Sequence, residues 1–185
     1  MFIRALPLAI IILFSNVLHV RAAEQQTIMG WVENVYVESI NSQFKAKLDT
    51  GATTSSMRAT VLNVLDEKDE KLARVVFQVE NDKGEINTLE RKLARFVKIK
   101  MRNGAAQNRP VVEMDFCIAG RHVVGEVNLA PRQDFIYPVL IGRNMLESAG
   151  VIVDSSRTYT APAHCPESKP KPEEETTPAA LLKGE

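Results

Sequence analysis

A carboxylate followed by a hydroxyl and a glycine, Asp49-Thr50-Gly51-Ala52, stands directly after a stretch in which apolar Phe44, Ala46 and Leu48 alternate with charged Lys45, Lys47 and Asp49. Such alternation marks a strand with one buried face. The carboxylate therefore sits at a strand end, where it can act as an acid or a base. It can equally just turn the chain, since Asp and Gly are ordinary turn residues. A second strand, Pro138-Val139-Leu140-Ile141-Gly142-Arg143-Asn144, ends in an apolar-apolar-glycine step. Other reactive residues offer less. Ser55-Ser56 lacks a His and Asp at the spacing of an activated nucleophile and reads as a turn or cap. Asp154 follows an apolar strand with no glycine after it and reads as a strand-ending turn residue. The histidines are His19, His122 and His164; there is no His-Glu-x-x-His helix, no paired-cysteine motif and no phosphate-cradling Gly-x-x-x-x-Gly-Lys loop. His122, beside a turn, reads as a surface residue. The expectation is no metal and no cofactor.

The elements that must position Asp49 are short strands. Residues 31–38 form a first strand of mixed faces, and residues 75–79 an apolar run followed by the turn Asn81-Asp82-Lys83-Gly84. The chain resumes at Ile86 and continues through Lys100; Asn103-Gly104 is a further turn signal. Residues 111–118 and 122–129 read as two strands joined across Ala119-Gly120-Arg121, and residues 139–141 and 151–153 as short buried ones. Between the last two, Arg143 to Ser148 allows one or two helical turns ended by Gly150. Arg91, Lys92 and Arg95 read as a solvated edge, and residues 66–71 as an exposed charged loop. Many short strands with little helix predict an all-β domain, closed or folded over.

Together these features resemble the retropepsin-like aspartic peptidases, and more narrowly the bacterial family formerly labelled ATP-dependent zinc proteases. The matching stretches begin at Ile28-Met29-Gly30-Trp31-Val32-Glu33 and Lys45-Ala46-Lys47-Leu48-Asp49-Thr50-Gly51-Ala52. They continue with Arg109-Pro110-Val111-Val112, Tyr137 to Asn144 and Val151 to Arg157, so the likeness spans the domain. Two positions depart from the family pattern: Thr53 stands where an Arg is usual, and Arg58 where a His is usual. The resemblance implies a closed acid-protease barrel with one short helix. It assigns Asp49 as the catalytic carboxylate, Thr50, Gly51 and Ala52 as its supporting loop, and Ile141, Gly142 and Arg143 as the strand packed beneath.

Amide hydrolysis by this route uses two carboxylates sharing one proton around a water, because two close Asp groups cannot both ionise. One Asp-Thr-Gly per chain then implies a homodimer with Asp49 from each subunit at a two-fold axis. Thr50 would hydrogen-bond across that axis. The substrate would be an extended peptide or protein, and the association of relatives with amide-bond-forming ligases suggests an unusual amide or a glutamate-rich peptide. On the same analogy the Asn81–Gly84 hairpin is either the flap over the substrate or a plain surface hairpin. The rival to an enzyme is a non-catalytic module that binds an extended peptide or partner protein in the cell envelope.

The 185 residues carry 23 basic and 23 acidic side chains. A balanced chain without a basic stripe argues against nucleic acid as a partner. Residues 1–22 read as a signal peptide, with early Arg4, an apolar run from Ala5 to Phe14 and a cleavage site after Ala22. That run falls short of the roughly 20 residues of a membrane span, although an uncleaved anchor is the alternative. The expected location is the periplasm. Residues 23–163 form a single domain, and residues 164–185, rich in Pro, Glu and Lys, a disordered tail. Cys117 and Cys165 either pair and pin the root of that tail or remain two separate thiols.

Overall fold

The computed structural model describes residues 26–69, 72–100, 106–133 and 135–165. The signal-peptide reading, the Asn103-Gly104 turn and most of the proposed tail lie outside them. The described chain is all-β, with one short helix. Its strands are β1 (Thr27–Val37), β2 (Ser42–Leu48), β3 (Ser55–Arg58), β4 (Thr60–Leu65) and β5 (Arg74–Glu80). They continue as β6 (Ile86–Lys100), β7 (Ala106–Ile118), β8 (Arg121–Ala130), β9 (Val139–Ile141) and β10 (Val151–Thr158), with α1 (Arg143–Ser148) between the last two. Among the described residues, no helix is long and apolar enough to cross a membrane.

The strands form one sheet in the order β10-β1-β2-β9-β3-β8-β7-β6-β5-β4, and β1 also pairs with β7. That extra pairing returns the sheet to its start, so β1, β2, β9, β3, β8 and β7 close a ring. Phe44, Ala46, Leu48, Met57, Val112, Met114, Phe116 and Ile141 point into it and are buried. Closure removes the open edges that flat sheets leave exposed.

The mixed faces expected for the first strand have a physical cause. The β1–β10 register shifts between Gly30 and Val32, so the buried positions change phase along β1. At the shift the backbone of β10 comes so close that a Cβ on Gly30 would lie 2.4 Å from the Arg157 carbonyl oxygen. Only glycine fits there. Beside it Glu33 is fully buried. Its carboxylate accepts hydrogen bonds from the Gly30 amide (2.7 Å), the Thr160 amide (2.8 Å) and hydroxyl (2.7 Å), and the Ala161 amide (3.3 Å). A buried carboxylate is tolerated when its lone pairs are this well satisfied. Glu33 thereby clamps the segment after β10 onto β1.

Beyond that clamp, Cys165 is disulfide-bonded to Cys117 of β7, which decides the alternative left open for the two cysteines. His164 and Cys165, with which the tail was expected to begin, are thus held to the domain. Residues 66–69 are exposed, as expected.

Candidate functional site

Asp49 is the first residue past β2. Its amide donates to the Ile141 carbonyl of β9 (2.8 Å), which continues the β2–β9 pairing by one step. The loop then folds back on its own carboxylate. The Gly51 amide donates to Asp49 Oδ1 (3.0 Å) and the Ala52 amide to the Asp49 carbonyl (3.2 Å). Asp49 is half-buried, while Thr50 and Gly51 are exposed. The one carboxylate singled out by the sequence therefore stands at an accessible strand end, held by backbone.

Arg143, the first residue of α1, staples the loop from outside. Its Nη1 donates to the carbonyls of Thr50 (2.9 Å) and Gly51 (3.3 Å), and its Nη2 to the Thr53 hydroxyl (2.9 Å). Its amide donates to the Ala52 carbonyl (2.9 Å). Thr53, one of the two departures from the family pattern, is thus part of the staple. Gly142 lies directly beneath: a Cβ there would meet the Thr54 carbonyl carbon at 2.7 Å and the Ala52 oxygen at 3.1 Å. The residues named from sequence, Asp49 to Ala52 and Ile141 to Arg143, do come together.

Sequence reasoning missed the polar bed under this loop. Ser55 and Ser56, read as turn or cap residues, are buried in β3. The Ser55 hydroxyl donates to Asn144 Oδ1 (3.0 Å) and accepts from the Gly142 amide (3.0 Å). The Ser56 hydroxyl donates to Asn128 Oδ1 (3.0 Å), and Asn128 Nδ2 returns a bond to the Ser55 carbonyl (2.7 Å). Asn144 Nδ2 reaches the Glu126 carbonyl (3.0 Å). Hydroxyls and amides satisfied in this way fix β3, β8, β9 and α1 relative to one another.

The electrostatics of the site are uneven. Burial pushes the Asp49 pKa up, but the hydrogen bond from Lys47 and the Gly51 amide outweigh it and leave it lowered. Lys47 Nζ lies 3.1 Å from Asp49 Oδ2. Nearby, Arg132 is buried and its Nε has no hydrogen-bond partner among the described residues. Burial first, then repulsion from Arg109 and Arg58, lowers the Arg132 pKa to about 10, while Asp49 pulls it back up. The Arg132 guanidinium stacks 4.3 Å over the Phe135 ring. Arg58, the second departure from the family pattern, ties down this loop by donating to the carbonyls of Arg132 (3.1 Å) and Phe135 (2.7 Å). A groove of about 420 Å³ opens alongside, lined by Thr60, Val61, Phe96, Arg109, Leu129 and Pro131.

Two further expectations change. Asp154 does not end its strand but lies within β10, where its Oδ1 accepts from the Ser156 hydroxyl (2.7 Å) and amide (2.9 Å). The Asn81–Gly84 hairpin is the plain one. Asn81 Nδ2 donates to the Ser42 hydroxyl (3.3 Å), at the end of β2 remote from Asp49. The long β6–β7 hairpin, which carries Arg109, is the one that borders the groove.

Asp49 thus stands at the mouth of a closed β-ring, braced by an apolar-apolar-glycine strand and a short helix. Residues 28–164 match the family described as RimB-like, the retropepsin-like aspartic endopeptidase RimB, and the chain belongs to that family. Among solved structures it is similar to protein Lpg0085 of Legionella pneumophila subsp. pneumophila str. Philadelphia 1, a crystal structure of a protein of unknown function. That match has 29% identity and a TM-score of 0.62, covering 74% of this chain and 98% of that one. A weaker match, at 17% identity and a TM-score of 0.36, is the solution structure of Simian Foamy Virus (mac) protease, with 63% of this chain and 91% of that one covered. Among curated proteins none matches.

Proposed function

We propose that the protein is an exported, periplasmic aspartic peptidase that hydrolyses peptide bonds as a homodimer, with Asp49 of each subunit forming the dyad. The observation that carries this reading is the presentation of Asp49: half-buried at an accessible strand end, held by the Gly51 amide and in a loop braced by Arg143. Bringing two such carboxylates together raises the pKa of one, since like charges at close range cannot both ionise. One then holds the proton while the other draws it from water. Lys47 must yield Oδ2 of Asp49 for the two carboxylates to share that proton. Thr50, next in the loop and exposed, would bridge the two copies.

Arg58 and Arg109 both repel Arg132, which also feels Asp49, and this gathering of guanidinium charge favours a substrate with acidic side chains. Exposed Phe135 and Ile136 on the same loop offer apolar contact to the peptide or to the second subunit. The peptide would lie extended and pair with strand edges.

The test is cleavage of acidic and neutral peptide mixtures, read by mass spectrometry from acid to neutral pH. The wild type should cut, preferring acidic peptides, and Asp49→Asn should lose about 10³-fold or more of the activity. Activity that survives Asp49→Asn would overturn the mechanism. The Lys47–Asp49 ion pair favours a second reading, a non-catalytic peptide-binding module, because a carboxylate engaged by an ammonium is a poor base. In that case peptides would bind without being cut, and Asp49→Asn would leave binding unchanged.

A further inference from the structure

At the end of the ring remote from Asp49, three strands present a row of side chains on one face. Tyr36 of β1 is directly opposite Cys117 of β7, which is in turn directly opposite His122 of β8. The segment after β10 crosses this row. His164 packs against Tyr36 with ring centroids 4.4 Å apart, and Cys165 is bonded to Cys117. Glu38, just past β1, pairs with His122 Nδ1 at 2.6 Å. One donor atom each from Glu38, His122 and Cys165 lies within 4.8 Å of the others.

We propose that Glu38, Cys117, His122 and Cys165 form a divalent-metal site when the Cys117–Cys165 bridge is reduced. A dithiol reductant supplies two electrons and two protons, becoming a disulfide itself and leaving two thiols here. Metal binding then releases those two protons as the thiolates ligate. Two thiolates, an imidazole and a carboxylate suit tetrahedral Zn2+, whose bonds to sulfur and nitrogen are about 2.3 and 2.0 Å. Those bond lengths space tetrahedral donors roughly 3.3–3.8 Å apart. The His122–Glu38 pair must open by about an ångström, and the widest pair among Glu38, His122 and Cys165 close by as much. Cys117 stands outside that trio, and its sulfur must part from that of Cys165 and swing toward the other two donors once the bridge is reduced. Glu38, His122 and Cys165 are part-exposed and can make such shifts; Cys117 is buried and needs only a turn about its own side-chain bond.

Reduction does not free Cys165. Thr160 and Ala161 remain clamped by Glu33, and only Pro162, Ala163 and His164 separate that clamp from Cys165. So short a tether keeps the thiol at high effective concentration over Cys117. The bridge and the metal are thus alternative ways of pinning the same segment, one for oxidising and one for reducing conditions. Motif scanning could not find this site, because its donors come from three segments far apart in the sequence.

The test is Co2+ titration of the reduced and oxidised protein under anaerobic conditions, followed by Zn2+ competition. Reduced protein should bind one Co2+ per chain, with a near-ultraviolet thiolate-to-metal band and the strong visible absorption of tetrahedral cobalt; oxidised protein should bind none. His122→Ala and Glu38→Gln should each weaken binding at least 10-fold. Circular dichroism covers the case in which reduction unfolds the chain: native signal recovered by one equivalent of metal supports the site. No recovery overturns it. Binding no tighter than in a Cys117→Ser/Cys165→Ser variant, or unaltered in His122→Ala, also overturns it.

Discussion

Lys47 and Asp49, two residues apart across the end of β2, form an ion pair with Nζ 3.1 Å from Oδ2. Both side chains are partly exposed, so solvent screens the pair and its net contribution to folding is at most about 1 kcal/mol. Its effect on protonation matters more. The folded pKa of Asp49 is lowered, so its ionised form contributes stability above the ordinary carboxylate range. That contribution is lost as pH falls through the folded value. Lys47→Met should leave the urea midpoint nearly unchanged and move the acid limb of the pH–activity profile to higher pH. Yielding Oδ2 gives up the hydrogen bond but keeps the ammonium nearby, so an unmoved limb would show that Lys47 moves clear of Asp49 altogether when the dyad forms.

Arg143 should matter to rate more than to fold. It is exposed, and its guanidinium bonds to two loop carbonyls and a hydroxyl. Arg143→Ala should lower kcat by roughly 10- to 100-fold, as a small misplacement of a catalytic group does. Thermal stability should fall by only about 1 kcal/mol. Arg143→Lys cannot make the same fork of bonds and should rescue little.

The Glu33 clamp carries stability. Glu33→Ala deletes a fully buried carboxylate and strands the Thr160 and Ala161 amides, leaving the Gly30 amide only its bond to the Thr160 hydroxyl. The expected loss is about 2–4 kcal/mol by urea denaturation, given the cost of unsatisfied buried donors. Thr160→Val should cost about 1 kcal/mol.

Gly142→Ala tests the bed beneath the active loop. A methyl group 2.7 Å from backbone has no side chain to push aside, and overpacking of that kind should cost ~3 kcal/mol. The signal to look for is a lower melting temperature together with lost cleavage.

The disulfide closes a loop of 48 residues. On the loop-entropy account its removal costs about 4 kcal/mol. Metal-free Cys117→Ser/Cys165→Ser should show that loss in urea.

What could be read from the sequence follows from where the physics is local. The alternation of Phe44, Ala46 and Leu48 places β2 and delivers Asp49 to its end; the helix from Arg143 to Ser148 lies where its residues suggested. The polar bed was illegible, because a buried serine looks like a turn serine until its partners Asn128 and Asn144 arrive from more than 70 residues away. The phase change in β1 was hidden for a related reason. It depends on β10 approaching Gly30, a contact between opposite ends of the domain. The remote position of the Asn81 turn likewise needs the whole ring to be traced.

The parallel pairing of β1 with β10 also has a consequence for the order in which the domain is made. Residues 27–30 find their partners only at residues 151–154, and Glu33 is satisfied only when Thr160 and Ala161 arrive. On the ribosome, the first strand waits for nearly the last described residue before its hydrogen bonds are complete. Contacts so distant along the chain make folding slow. A nascent or truncated chain would expose the edge of β1 and leave the Glu33 carboxylate without its partners, so such a chain is the form most open to aggregation and proteolysis.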